Sequence, residues 1–335
     1  MKKTFLLLTL LFATLSNAQL SDFKNVNFTK ADNIAHLNAN ENLQSLPILS
    51  YKLTTKLSTD VEKFRAIYTW VCTNIKGDYK QHNTVSRKRN KFKYDSISLA
   101  EWNSEYKKKA FKKLLKHQKT MCTGYAYLIK ELSILAGIEC QIIDGFGRSV
   151  TSNIDTLETA NHSWNAVKLN NKWYLCDATW SSGYMDGENT FISDYNSEYF
   201  LADPILFAKN HYPIDTKWLL NNEITSVNFL NAPLIYCEAF KYMVFPISTA
   251  KMNITVTKKT PVKFSFRSDT TIDLSKFSLV FYTGSFENKF PIETIMFLNG
   301  IITITTKFNW KGCYDVHLKI ENDVVATYVI KVNDM

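Results

Sequence analysis

Two periodicities divide the chain. Through residue 137 the apolar positions recur at helical spacing; beyond it they follow the shorter repeat of strands. Residues 19–50 are polar and irregular, with a short helix expected around Asp32 to Leu37. Asp60 to Ile75 (DVEKFRAIYTWVCTNI) places Phe64, Ile67, Tyr68 and Val71 on one helical face, with Asp60 as the expected cap. Ser98 to Lys119 reads as one or two basic helices. Cys122 to Ala136 carries the stripe Tyr125, Ile129, Leu132 and Ala136, and Gly137 follows where a helix C-terminus favours glycine.

Strands are expected at Ile138 to Phe146, Asn161 to Leu169 and Lys172 to Asp177. Asn170-Asn171 is a two-residue turn signal between the last two. With those residues as the turn, opposed positions pair Asp177 with Trp164 and His162 with Thr179. His162 and Asp177 then share one face as diagonal neighbours, roughly 7–8 Å apart between Cα atoms. Residues 178–220 are loop-rich and aromatic. From about Glu223 nearly every segment reads as a strand (NITVTK, VKFSFRS, FSLVFYTG, IITITTKF, CYDVHLKI, VVATYVIKV), which predicts a C-terminal β-sandwich comparable to an immunoglobulin-like domain.

Length and composition add a boundary and a location. Residues 1–18 have Lys2 and Lys3 before an apolar run, then Ser16-Asn17-Ala18, as in a cleaved signal peptide. A soluble chain, secreted or periplasmic and without a transmembrane anchor, is therefore expected. The remaining 317 of 335 residues exceed what one core ordinarily serves, so two domains are expected, 19–220 and 221–335. The formal charge of +9 is concentrated. Arg87 to Lys119 holds twelve basic residues against Asp95, Glu101 and Glu105, a local excess of nine. That stretch is either a solvated helix face or a surface for an anionic partner. An exported chain with no binding motif gives no reason to expect nucleic acid.

The six cysteines (Cys72, Cys122, Cys140, Cys176, Cys237, Cys313) are too few for a disulfide scaffold and include no CxxC pair. Cys122 differs from the others by position. A thiolate on the first turn of a helix is favoured by the helix dipole, and the free N–H groups there can hold an oxyanion. A histidine base oriented by a carboxylate completes the logic of an activated nucleophile, and His162 with Asp177 on one hairpin face supplies it. Singly, a strand histidine or a post-strand aspartate is ordinarily structural. Metal binding by Cys176, Asp177 and His162 is disfavoured, because adjacent strand residues point to opposite faces.

Four stretches carry a resemblance: "DVEKFRAIYTWVCTNI", "MCTGYAYLIKELSILAGIECQIIDGFG", "NHSWNAVKLNNKWYLCDATW" and "YFLADPILFAKNHYPIDTKWLL". Together they resemble the transglutaminase-like superfamily, in its kyphoscoliosis peptidase-like branch, as a bacterial secreted member. The resemblance implies an α+β, papain-like core with the cysteine helix packed on an antiparallel sheet. It implies Cys122 as nucleophile, His162 as general base and acid, and Asp177 as orienting carboxylate. An upstream oxyanion donor is also implied, with Trp70 and Tyr79 as candidates. Calcium sites of animal transglutaminases find no matching acidic cluster, and no cofactor is expected. Lys76-Gly77-Asp78-Tyr79 stands where the family often has an aromatic-Asp pair, and residues 87–119 look expanded.

The expected function is acyl transfer at an amide bond of a protein or peptide through a thioester, with hydrolysis favoured over crosslinking. The alternative is a catalytically silent binding module for a cell-surface protein or polymer.

Overall fold

The computed structural model describes residues 20–334 apart from Asn153, Asn222, Glu223 and Asp269; the expected signal peptide lies outside the described residues. Five helices, α1 (Thr29–Leu37), α2 (Leu46–Thr54), α3 (Asp60–Asn74), α4 (Tyr79–Lys91) and α5 (Ser96–His117), precede the cysteine helix α6 (Cys122–Leu135). The cap of α3 is Thr59 and not Asp60. Thr59 Oγ1 accepts from the Glu62 N–H while Glu62 accepts from the Thr59 N–H, a reciprocal box that a first-turn aspartate cannot make. Helix α6 ends as expected: Gly137 has φ +79°, and the N–H groups of Gly137 and Ile138 close on Ile134 and Ser133.

Two helices were not anticipated. In the stretch read as irregular, α2 starts at the cap Ser45 with Pro47 in its first turn. Asp78 caps α4, whose sequence has no apolar stripe to announce it. A short parallel ladder, β1 (Lys76–Gly77) with β2 (Lys119–Thr120), closes the base of the α4–α5 pair just before Cys122.

The central sheet is antiparallel, in the order β5 (Lys172–Cys176), β4 (His162–Leu169), β3 (Cys140–Gly147), β8 (His211–Pro213). Asn170 and Asn171 both have positive φ, as a tight hairpin turn needs. The pairing runs from Leu169–Lys172 to Asn165–Cys176, the register expected from the sequence. Asp177 then leaves the sheet to cap α7 (Ala178–Ser182). Between α7 and β8, residues read as loop form a small hairpin, β6 (Gly183–Met185) with β7 (Phe191–Ser193), and a short helix, α8 (Pro204–Phe207).

Strand β4 is covered on both faces. Val167 and Leu169 pack with α6 and α3, in a core holding Phe64, Tyr68, Trp70, Leu128 and Ile129. Trp164 and Ala166 join a second core with Phe245, Phe264, Leu318 and Tyr328, so the C-terminal sheets cover the far side. Those sheets form a β-sandwich. One contains Val244–Ser248, Pro261–Ser268, Ile301–Lys307 and Ile292–Leu298; the other is built around Gly312–Ile320 and Asp323–Asn333. Pairing in both is antiparallel except that Asn253–Thr257 runs parallel to Asp323–Asn333. The expectation of strands from Glu223 onward fails for two short helices, Ser226–Asn231 and Cys237–Lys241. Thr225 caps the first, and Phe229 and Phe240 anchor the pair in the cores.

Candidate active site

Cys122 is the first residue of α6, and no side chain caps that helix. The unanswered N–H groups and the positive end of the dipole therefore face whatever lies at the sulfur. Gly124 lets the first turn sit tight on the preceding strand: a Cβ there would come within 1.9 Å of Thr120 Oγ1. The Ser163 N–H, at the start of β4, favours the charged form of the Cys122 sulfur.

His162 opens β4. Asn161 fixes that strand end by accepting from the Gly147 N–H at 2.7 Å and donating to its carbonyl at 2.9 Å. The imidazole lies between Trp180 and Trp164, 7 % exposed, with ring centroids 5.0 and 6.0 Å away. Its Nε2 donates to Asp177 Oδ2 at 2.6 Å, and the ring stands close enough to Cys122 for each to favour the charged form of the other. With Nε2 on the carboxylate, Nδ1 is the nitrogen left for sulfur.

Asp177 is fully buried, and both of its oxygens are used. Oδ1 accepts from the N–H groups of Thr179 and Trp180 at 2.8 and 3.2 Å. Oδ2 accepts from His162 and also, at 3.0 Å, from His211 Nε2 on β8. Tyr68, from α3, donates to the Asp177 carbonyl.

Electrostatics distinguish Cys122 from its fellow thiols. Burial pushes Cys72, Cys140, Cys176 and Cys237 above the ordinary cysteine range. Burial pushes Cys122 the same way, but His162, then Arg89 and the Ser163 N–H, outweigh it and hold the thiol below its ordinary value. Burial opposes charge on His162 too, yet Asp177 and then Cys122 lift it well above the histidine range. Asp177 is held well down against its own burial by the two histidines. For His211 burial wins over the pull of Asp177 and takes the pKa down to about 4, leaving the ring neutral at neutral pH. Its Nδ1 lies 2.7 Å from Asn210 Oδ1, and the Asn210 NH₂ donates to the Tyr199 hydroxyl at 3.1 Å.

The model of the transglutaminase-like superfamily matches residues 48–178, the stretch that contains Cys122, His162 and Asp177. Residues 48–178 are a transglutaminase-like domain. Kyphoscoliosis peptidase of Homo sapiens is 30 % identical over 238 residues, 64 % of this chain and 32 % of that protein. Hillarin of Drosophila melanogaster is 25 % identical over 232 residues, 65 % of this chain and 26 % of its own length. The Caenorhabditis elegans Lim and transglutaminase domain protein ltd-1 is 26 % identical over 235 residues, 64 % and 29 % of the two chains. The chain thus spans about a third or less of the length of these relatives.

Within the transglutaminase-like domain, α4 and α5 cover the thiol. Val85 packs on Met121 and Cys122, with Trp102 and Tyr106 beside them, and Cys122 is left 5 % exposed. Trp70, an oxyanion candidate from the sequence, is buried in the α3 core with its Nε1 donating to the Asn38 carbonyl; it is not free for that role. Tyr79 begins α4. Gln81, one helical turn before Val85, buries an amide whose Oε1 has no hydrogen-bond partner.

His162, Asp177 and His211 place three potential metal-ligand atoms within 4.8 Å of one another. This differs from the weak sequence candidate, since Cys176 is absent from the group and His211 is present. Hydrogen bonds among the three already account for their arrangement. Sequence reasoning gave His211 no role and noted only that its aromatic segment could pack near the site, where it does lie. Its only signal was its place in an aromatic stretch, and the aromatic shell of Phe207, Trp180 and Tyr199 around it is what that stretch forms.

Proposed function

We propose that this chain is a cysteine enzyme that transfers acyl groups at amide bonds of a protein or peptide substrate. The observation that carries the reading is a buried thiol held below its ordinary pKa by a histidine that a buried carboxylate also holds. Cys122 is the nucleophile, His162 the general base and acid, and Asp177 the orienting carboxylate.

The Cys122 thiolate adds to the amide carbonyl carbon. The oxyanion that forms meets the free N–H groups of the α6 N-terminus. His162 gives its proton to the leaving nitrogen as the C–N bond breaks, and a thioester remains. Water, deprotonated by His162, then attacks the thioester and releases the acid and the thiol. A lysine amine in place of water would give an isopeptide crosslink. Hydrolysis is favoured because no feature of the sequence marks an acyl-acceptor site.

Export to a secreted or periplasmic location is part of the reading, on the composition of residues 1–18. No described helix is long and apolar enough to cross a membrane. The second reading, a silent binding module, draws on the sandwich packed against the central sheet.

The test is incubation with a peptide mixture, with and without a dansylated primary amine, read by mass spectrometry beside Cys122→Ala. New peptide ends made only by the parent protein are the expected result. Amine incorporation without cleavage would instead mark a crosslinking enzyme, and no turnover of either kind would favour the binding module.

A further inference from the structure

The α4–α5 pair carries charge that its own fold does not answer. Of the twelve basic residues between Arg87 and Lys119, Lys93 pairs with Glu158 and Lys113 with Asp78. The other ten, Arg87, Lys88, Arg89, Lys91, Lys107, Lys108, Lys109, Lys112, Lys116 and Lys119, have no ion pair among the described residues. So many like charges repel one another, and a carboxylate-bearing partner relieves that repulsion.

The pair also stands at the thiol, where Val85, Trp102 and Tyr106 make an apolar contact with polar residues of α4 beside it. His82, Val85 and Arg89 follow the i, i+3, i+7 stripe of α4. Val85 touches Met121 and Cys122. The charge of His162 acts on His82, and that of Arg89 acts on both His82 and Cys122. The attachment is also slight: Gln81, Val85 and Leu114 are the buried side chains of the two helices. Elements with so little burial open at low cost.

We propose that residues 79–117 are the substrate-recognition element of the site and that they take acidic polypeptide segments, with an Asp or Glu beside the amide presented to Cys122. This rests on the cysteine-enzyme reading and names its substrate class. Arg89 meets the carboxylate nearest the thiol, with a planar fork suited to bidentate pairing. The outer lysines act on the following carboxylates through many weak, exposed contacts, so recognition is sensitive to salt.

The test is fluorescence anisotropy of a fluorescein-labelled glutamate-rich peptide titrated with the whole protein carrying Cys122→Ser to prevent turnover. A lysine-rich peptide and phosphatidylglycerol vesicles are the comparators. The glutamate-rich peptide is expected to bind alone among the peptides. Its affinity is expected to fall about tenfold as NaCl rises from about 50 to about 300 mM, and about as far in a protein that also carries Lys107→Gln, Lys108→Gln, Lys109→Gln and Lys112→Gln. Equal binding of both peptides, or no change in the four-lysine variant, would overturn the proposal. Vesicle binding without peptide binding would assign the face to anionic lipid instead. Cys122 alkylation by iodoacetamide, in protein that keeps Cys122, separates the two readings. A reactive thiol with no peptide preference overturns the recognition element alone. An inert thiol with the peptide still bound overturns the enzyme and leaves an acidic-segment binding site.

Discussion

Asp177 serves two imidazoles through one oxygen, and the two respond oppositely. His162 gains protons on folding, because the charge and hydrogen bond of Asp177 overcome burial. His211 loses them, because burial overcomes Asp177. Each shift has a consequence for stability. His162 contributes fully below the unfolded histidine value, and its contribution is lost as pH rises through its folded value. For His211 the unfolded chain takes up a proton first as pH falls, so stability is lost between about pH 6.5 and about pH 4, by up to ~3 kcal/mol. Urea unfolding at a series of pH values checks both. His211→Phe is expected to flatten the acid-side loss, and His162→Phe the loss on the alkaline side; an unchanged acid side in the His211 variant would contradict a neutral His211. The relation of His162 to Asp177 was legible in the sequence because the Asn170-Asn171 turn fixes the register, and register fixes faces. His211 was not legible. It lies on a three-residue strand, 34 positions from Asp177, and nothing periodic marks it.

Among the elements, α6 was read nearly residue for residue, since it has both an apolar stripe and a glycine stop. The unread elements lack one or the other. Helix α4 owes its existence to the Asp78 cap, to β1–β2 at its base and to contact with Cys122, none of which is periodic. Helix α2 carried a legible Ser-x-Pro start that the surrounding polar residues obscured. Such differences in anchoring separate the elements dynamically. Amide hydrogen exchange is expected to be fast in α4 and α5 and slow in α6 and β4, whose side chains fill the cores on either side. Equal protection of α4 and α6 would remove the basis for an opening cover.

At the scale of the whole molecule, β4 joins the two halves. One of its faces packs on the helices that hold Cys122, and the other packs on the sandwich. The hairpin that carries His162 is thus fixed from both sides, and the rigid sheet brings a base to a thiol on a separate helix. The sandwich and the central hairpin were legible from periodicity, and the resemblance implied the α+β class. The way the sandwich covers Trp164 was not, because packing between sheets leaves no local pattern.

The reading of this chain as a cysteine enzyme turns on an activated thiol at Cys122. The most direct measurement is the rate of its alkylation by iodoacetamide against pH, read by mass spectrometry, in the parent protein and in His162→Ala. The account expects reaction well below the free-cysteine value of about 8.5, and a profile shifted upward in the variant. A profile centred near that value and unchanged by His162→Ala would contradict it.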